Sequence, residues 1–278
     1  MVIQELSLLV VQQRAIASNY LNRFVIFDCY IPKNTAHAEE LSLLLINDGQ
    51  DLDEMNFAAM YNDLLLQNVL HPVVCVGIHA NKDRKNEYGT AQQKDYAGRG
   101  ARAAAFTNFI LYELLPFVST QFGVKQFKRT GYAGFSLGGL SALDITWNHA
   151  DVFQTVGVFS GSLWWRSKPL GDDYSDDTDR IMHQQLRRGP YNGGLRFFFT
   201  TGSLDETADR NYNGIIDSID DTLDLIKELK KLGYTDSHIE YINYADGKHD
   251  VGTWGRAMPG FLLWGWGKDS KERTNFSK

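Results

Sequence analysis

Thr130-Gly131-Tyr132-Ala133-Gly134-Phe135-Ser136-Leu137-Gly138-Gly139-Leu140 is the stretch on which the reading of this chain turns. Thr130 to Phe135 has the aromatic and small apolar character of a short buried strand, and Gly139 to Asn148 carries helix-compatible residues. A strand therefore feeds a helix through a turn centred on Ser136. Glycines at 134 and 138 leave out the side chains that would crowd so sharp a turn. Ser136 then sits beside a helix N-terminus, where backbone N–H groups face any developing oxyanion.

The same alternation extends outward. Leu41–Asn47, Pro72–Ile78, Thr155–Phe159, Arg196–Thr200 and His238–Tyr244 read as further strands. Phe57–Leu66, Phe106–Leu115, Asp217–Leu232 and Ala257–Trp264 read as further helices. In the third of these, Ile219, Leu223, Ile226 and Leu229 share a face and Gly233 supplies the stop. Strands that are apolar almost throughout must be covered on both faces, which means a mostly parallel central sheet. Leu6–Gln12 and Phe24–Ile31, ended by Pro32, come before any helix and read as antiparallel leading strands. With no repeat or linker to divide it, residues 1–278 read as a single α/β domain.

Composition excludes several classes. Apolar residues make up 43% of 278 and aromatics 13%, enough for a sizeable core and too much for disorder. Lys and Arg number 28 against 34 Asp and Glu, so no basic stripe exists for nucleic acid. No apolar run approaches the length that crosses a bilayer, so no membrane partner is expected. Cys29 and Cys75 sit singly in apolar stretches and read as buried small hydrophobes. The first residues carry no basic region, so the expectation is a chain without targeting signal, cytoplasmic by default and periplasmic or secreted where a signal has been removed.

A serine hydroxyl needs a base, and the base an orienting acid. For a strand–Ser–helix turn of this kind the chain order is serine, acid, histidine. Three of the seven histidines, His183, His238 and His249, follow Ser136 with room for an acid between. His183 lies among Gln and Arg and His238 opens a strand, so both read as solvated. His249, in Ala245-Asp246-Gly247-Lys248-His249-Asp250, follows the last strand and is the expected base. The strand Phe197-Phe198-Phe199-Thr200 runs into Gly202-Ser203-Leu204-Asp205-Glu206, which makes Asp205 the expected acid with Glu206 as its rival. The oxyanion donors are expected to be the Leu137 amide and the Gln50 amide, the latter in the turn Asn47-Asp48-Gly49-Gln50. Trp164 and Trp165 follow a strand end and read either as flat pocket walls or as core.

Taken together, these segments resemble the Putative esterase branch of the α/β-hydrolases, which includes enterochelin esterases, feruloyl esterases, S-formylglutathione hydrolases and mycolyltransferases. The resemblance rests on Tyr30-Ile31-Pro32, Leu45 to Gln50, Gly134 to Gly139, Phe159 to Trp165, Gly202 to Asp205, Gly247-Lys248-His249 and Trp254. It implies an α/β-hydrolase fold, with Ser136 as nucleophile, His249 as base and Asp205 as acid. The family's Arg-x-x-Glu-Tyr segment is matched by Arg84, Glu87 and Tyr88, which makes Arg84 and Tyr88 candidate substrate contacts. The implied activity is hydrolysis of a small-molecule carboxylic ester through an acyl-enzyme, without organic cofactor. The same triad would also serve acyl transfer, and a fold kept only for binding would be expected to lack a triad member.

One segment stands apart. Asp209-Arg210-Asn211-Tyr212-Asn213-Gly214-Ile215-Ile216-Asp217-Ser218-Ile219-Asp220 places Asp or Asn at positions 1, 3, 5, 9 and 12 of a twelve-residue loop, with Gly at 6. That spacing matches an EF-hand-like calcium loop. Asp209, Asn211, Asn213, the Ile215 carbonyl, Asp217 and Asp220 are the expected ligands of a structural Ca²⁺, although Asp220 stands where Glu is usual. An Asx-rich turn capping the helix that follows is the competing reading.

Overall fold

The computed structural model describes residues 2–33 and 40–269. Nine strands form one sheet: β1 (Val2–Glu5), β2 (Leu9–Ser18), β3 (Arg23–Pro32), β4 (Ser42–Asn47), β5 (Val73–Ile78), β6 (Thr130–Phe135), β7 (Thr155–Phe159), β8 (Arg196–Leu204) and β9 (Ile239–Lys248). Their spatial order is β1-β2-β3-β5-β4-β6-β7-β8-β9. The first three strands pair antiparallel and β3 meets β5 antiparallel through Phe27↔Ile78 to Tyr30↔Cys75. From β5 to β9 every pairing is parallel. The expected α/β-hydrolase architecture is the one observed, with β1 as a strand that sequence reading did not anticipate.

The helices are α1 (Phe57–Leu66), α2 (Arg84–Glu87), α3 (Ala103–Phe109), α4 (Leu115–Phe122), α5 (Leu137–Asn148), α6 (Asp176–Asp179), α7 (Ile181–Arg188), α8 (Asp217–Leu232) and α9 (Val251–Trp266). A π-helical turn at Ile110–Leu114 joins α3 to α4. Side chains of β4 alternate between two cores: Leu43 and Leu45 pack with Phe106, Phe109, Leu140 and Leu225 on one face. Leu44 and Ile46 pack with Phe57, Tyr61, Met258 and Phe261 on the other. This two-sided burial is why the central strands read as unbroken apolar runs. Each fully buried Leu or Phe contributes about 1.5–3 kcal/mol.

Several elements differ from the sequence expectation. Helix α9 begins at Val251 rather than Ala257 and continues through Pro259. Asp250 caps it, accepting the Thr253 N–H at 2.8 Å, and the buried face of Trp254, Met258, Phe261 and Leu262 holds it to the sheet. Strand β9 reaches Lys248, so His249 emerges directly from a strand end. The polar helix expected around His183 is α7, whereas the four-residue helices α2 and α6 are too short to set a period.

Candidate active site

Ser136 joins β6 to α5 with φ 53° and ψ −120°. Positive φ is uncommon for a residue with a Cβ, and at a half-buried turn it stores strain that the surroundings must over-determine. Main-chain packing does so. A Cβ on Gly134 would lie 2.3 Å from the Gly138 oxygen, and one on Gly138 would lie 2.5 Å from an Asp48 carboxylate oxygen. Ser136 N–H donates to the Phe159 carbonyl at 2.9 Å, and the Ser136 carbonyl accepts the Ser162 N–H at 3.0 Å. The two hydroxyls, Ser136 Oγ and Ser162 Oγ, are 3.4 Å apart.

The acid and base come from the next two strands. Asp205 leaves β8 with its carboxylate almost wholly buried and received by two donors. The Gly202 N–H reaches Oδ2 at 3.0 Å and the Ser160 hydroxyl reaches Oδ1 at 3.1 Å. Ser160, itself at φ 45°, accepts the Trp254 indole N–H at 3.1 Å. His249 Nδ1 lies 3.9 Å from Asp205 Oδ1, an ion-pair separation rather than a closed hydrogen bond. The imidazole stands edge-on to Trp254 with ring centroids 5.2 Å apart. Burial pulls the His249 pKa below its ordinary value; Asp205 opposes this and the Arg84 charge adds to it. Glu206 turns away, its Oε1 accepting the Ser218 N–H of α8 at 2.7 Å. Burial raises its pKa.

The other histidines part company. His238 is half-buried at the start of β9, hydrogen-bonded locally to Thr235. His183, expected to be solvated, is fully buried with Nε2 at 2.9 Å from the Asp221 carbonyl. Its pKa falls to about 3, because burial penalises the imidazolium and Arg180 stands close by. Their hydrogen bonds go to the Asp221 carbonyl and to Thr235, whereas His249 and Asp205 meet at the same sheet edge.

Gln50 lies in a 3₁₀ turn, Gly49–Leu52, set directly on β5: a Cβ at Gly49 would stand 2.1 Å from the Gly77 carbonyl carbon. This turn abuts the elbow, because the Asn47 amide donates to the Gly138 carbonyl at 2.8 Å. Leu137 opens α5, where first-turn N–H groups have no helical acceptor.

Arg84 is half-buried and already paired. Its guanidinium grips Asp48 bidentately at 2.6 and 2.7 Å and reaches the Phe135 carbonyl at 3.3 Å. Tyr88 is 1% exposed; its ring lies 5.1 Å from the Arg84 guanidinium and its hydroxyl accepts the Asp48 N–H at 3.3 Å. The segment braces the Asp48 turn against the elbow. Trp165 has no exposed surface and is core rather than wall, while Trp164 remains half-buried. Ser160, Ser162, Trp254 and Asp48 are contacts that sequence reasoning did not assign. Their signal was present in Phe159-Ser160-Gly161-Ser162 and in the Trp five residues after His249.

In loop 209–220 Asp209 accepts the N–H groups of Asn213 (3.1 Å) and Gly214 (2.9 Å), with Gly214 at φ 84°. Asn211 and Asn213 both turn their amides to Asp220 Oδ2, at 2.8 and 2.9 Å. Asp217 is drawn off: it accepts the Arg210 N–H at 2.9 Å and pairs with the Arg210 guanidinium at 3.3 Å, away from the loop centre. Among the described residues no cluster of three or more His, Cys, Asp or Glu gathers as a metal site.

Comparison with known proteins accords with this architecture. A ferulic acid esterase superposes with TM-score 0.66 at 16% identity, covering 91% of this chain and 97% of its own. A siderophore hydrolase from Aspergillus nidulans gives 0.69 at 18%, covering 91% and 93%. The enterobactin esterase of Shigella flexneri gives 0.67 at 22% and covers 91% of this chain, which spans only 58% of that protein's length. Identities this low speak for the fold. Family membership comes from the sequence itself: residues 18–264 match the family described as Putative esterase, and the chain belongs to that family.

Proposed function

We propose that this esterase-family protein hydrolyses a carboxylic ester through an acyl-enzyme, with Ser136 as nucleophile, His249 as general base and Asp205 as its partner. The observation that carries the reading is the positive-φ conformation of Ser136 between the C-terminal end of β6 and the start of α5, a strain that packing maintains and that serves presentation of one hydroxyl. His249 takes the Oγ proton as Oγ bonds to the ester carbonyl carbon, and the carbonyl oxygen becomes an oxyanion facing the Leu137 and Gln50 N–H groups. Collapse breaks the C–O bond, and the imidazolium gives its proton to the departing alkoxide. Water, deprotonated by the same imidazole, then releases the acid. Substrate binding is expected to close the 3.9 Å His249–Asp205 gap to a hydrogen bond, since catalytic contacts are often long in a free enzyme.

The test is Ser136→Ala against p-nitrophenyl butyrate. A folded variant is expected to lose about 10⁴-fold or more in rate, and wild-type turnover would overturn the reading. Products analysed with added alcohols distinguish hydrolysis from acyl transfer.

We further propose that loop 209–220 takes a structural Ca²⁺ through Asp209, Asn211, Asn213, the Ile215 carbonyl and Asp220. Support comes from Gly214 at φ 84° and from the convergence of the Asn211, Asn213 and Asp220 side chains; an ion would have to draw the two amide oxygens from the Asn213 and Ile215 N–H groups they now accept. Asp217 is left to Arg210.

A further inference from the structure

Four positions after Ser162 stands Arg166, a guanidinium with no ion pair among the described residues. Ser162, whose hydroxyl is 3.4 Å from that of Ser136, leads through Leu163 to Trp164-Trp165-Arg166. Trp165 turns inward and seats on two glycines, whose Cβ atoms would lie 2.7 Å (Gly89) and 2.9 Å (Gly100) from its ring. Its half-buried neighbours Trp164 and Arg166 face the other way. The Arg166 backbone is fixed on both sides, bridging to Arg180 and accepting the Tyr96 N–H at 3.0 Å.

The Arg166 guanidinium then lies among three rings, 5.0 Å from Tyr96, 5.6 Å from Trp164 and 5.9 Å from Tyr174. Its Nε is buried and has no hydrogen-bond partner, and among the described residues it forms no ion pair. The neighbouring cation differs: Arg99, 4.8 Å over Trp164, hands its charge to Asp95 through a 2.6 Å Nε contact. With Nε sealed off and the residue half-buried, the terminal Nη groups are the end that a ligand could reach, and two N–H donors on that end match a carboxylate bidentately. In a chain of net charge −6, an uncompensated cation held in place by rings is poised for an anion from outside.

We infer that Arg166, with Trp164 and Tyr96, forms a subsite for a carboxylate carried on the ester substrate, remote from the scissile bond. The inference rests on the Ser136 reading. Three residues lie between Ser162 and Arg166, and the four chain steps span at most about 14 Å from Cα to Cα when extended. The substrate class is therefore a hemi-ester or an acyloxy acid whose free carboxylate stands several carbons from the ester.

The experiment compares p-nitrophenyl octanoate with mono-p-nitrophenyl suberate, which bears the anion on the acyl side, and with 8-(p-nitrobenzoyloxy)octanoate, which bears it on the alcohol side. Arg166→Gln is expected to lower kcat/KM for one anionic ester by about tenfold to a hundredfold, mostly through KM, and to leave the neutral ester within about twofold. Arg166→Lys should fall between, because it keeps the charge and loses the fork. Added salt should weaken the wild-type preference and not that of Arg166→Gln. Equal losses on neutral and anionic esters would mean a structural role and overturn the proposal, as would unchanged ratios for both anionic esters. Failure of the Ser136 reading looks different: no ester is turned over. Calorimetric titration with suberic acid mono-anilide against octananilide, in wild type and Arg166→Gln, then decides the subsite. Binding of the acid analogue alone, lost in the variant, supports it, and equal binding of both in either protein overturns it.

Discussion

The two halves of the site are held in different ways. Around Ser136 the contacts all grip the main chain: Gly134 on Gly138, Gly49 on Gly77, carbonyls of 136 and 159 on N–H groups, and the Asn47 and Arg84 side chains on the Gly138 and Phe135 carbonyls. Around Asp205 and His249 they are side chain on side chain, running Trp254 to Ser160 to Asp205, with His249 still 3.9 Å off. Backbone contacts leave Ser136, the proposed nucleophile, one position. Side-chain contacts leave the proposed acid–base pair adjustable and open to its neighbours' charges. Substitutions on the two sides should therefore fail differently.

The largest effect belongs to the glycine side. Gly134→Ala drives a Cβ into backbone that cannot yield, so folded protein should be lost or its midpoint should drop by about 10 °C or more, and activity with it. A folded, active Gly134→Ala protein, measured by thermal melt and ester turnover, would dissolve the contrast. Next, Asp205→Asn should cost about 10³- to 10⁴-fold in kcat with little change in midpoint, because the mutated amide still fits but holds the wrong tautomer. Glu206→Gln should cost less than about tenfold in rate and act on the stability of α8 instead, since Glu206 accepts an N–H of its first turn.

A smaller effect sharpens the side-chain half. Ser160→Ala takes one donor from Asp205, leaving more negative charge for His249; kcat should fall about tenfold and the acidic limb of the pH–rate profile should move to higher pH. Ser160→Gly should shift the limb alike while relieving the φ 45° strain, which separates hydrogen bond from backbone. In wild type that limb should lie below the ordinary histidine value of about 6.5, because burial lowers the His249 pKa and only the neutral imidazole accepts the proton. Arg84→Gln removes a positive charge and should move the limb upward. The smallest effect is calcium: excess Ca²⁺ should raise the thermal midpoint by a few degrees, Asp209→Ala with Asp220→Ala should abolish the rise, and turnover should hardly change. A midpoint indifferent to Ca²⁺ and to chelator would leave the loop as a helix cap.

What was legible in the sequence follows the same division. A strand–Ser–helix turn announces itself because its constraint is local: glycines must stand where a Cβ cannot. Two-sided burial makes strands β4 to β8 largely apolar runs, so the parallel sheet was readable, and Asp205 and His249, the proposed acid and base, were picked out by their place just after strand ends. Most failures depended on partners far along the chain. His183 looked solvated among Gln and Arg, but α8 covers it through Asp221. Tyr88 and Trp165 looked available to a ligand until Asp48 and Gly89 turned out to be packed on them. Helix α9 was begun six residues late, at Ala257, because its first turns, Val251 to Arg256, were not matched to the local cap Asp250. Between Asp205 and Glu206 only the direction of α8 decides, and no local pattern carries that.

The seating of Gly49 on Gly77 bears on how this protein would tolerate inherited change. A turn located by bare backbone passes no information about the side chains around it. Codons for Gly49, Gly77, Gly134 and Gly138 should therefore be nearly immutable in a saturation library, while positions such as 96, 164 and 166 accept many residues with the elbow undisturbed. A lineage built this way can wander widely in what it recognises while the place where bonds are broken stays put.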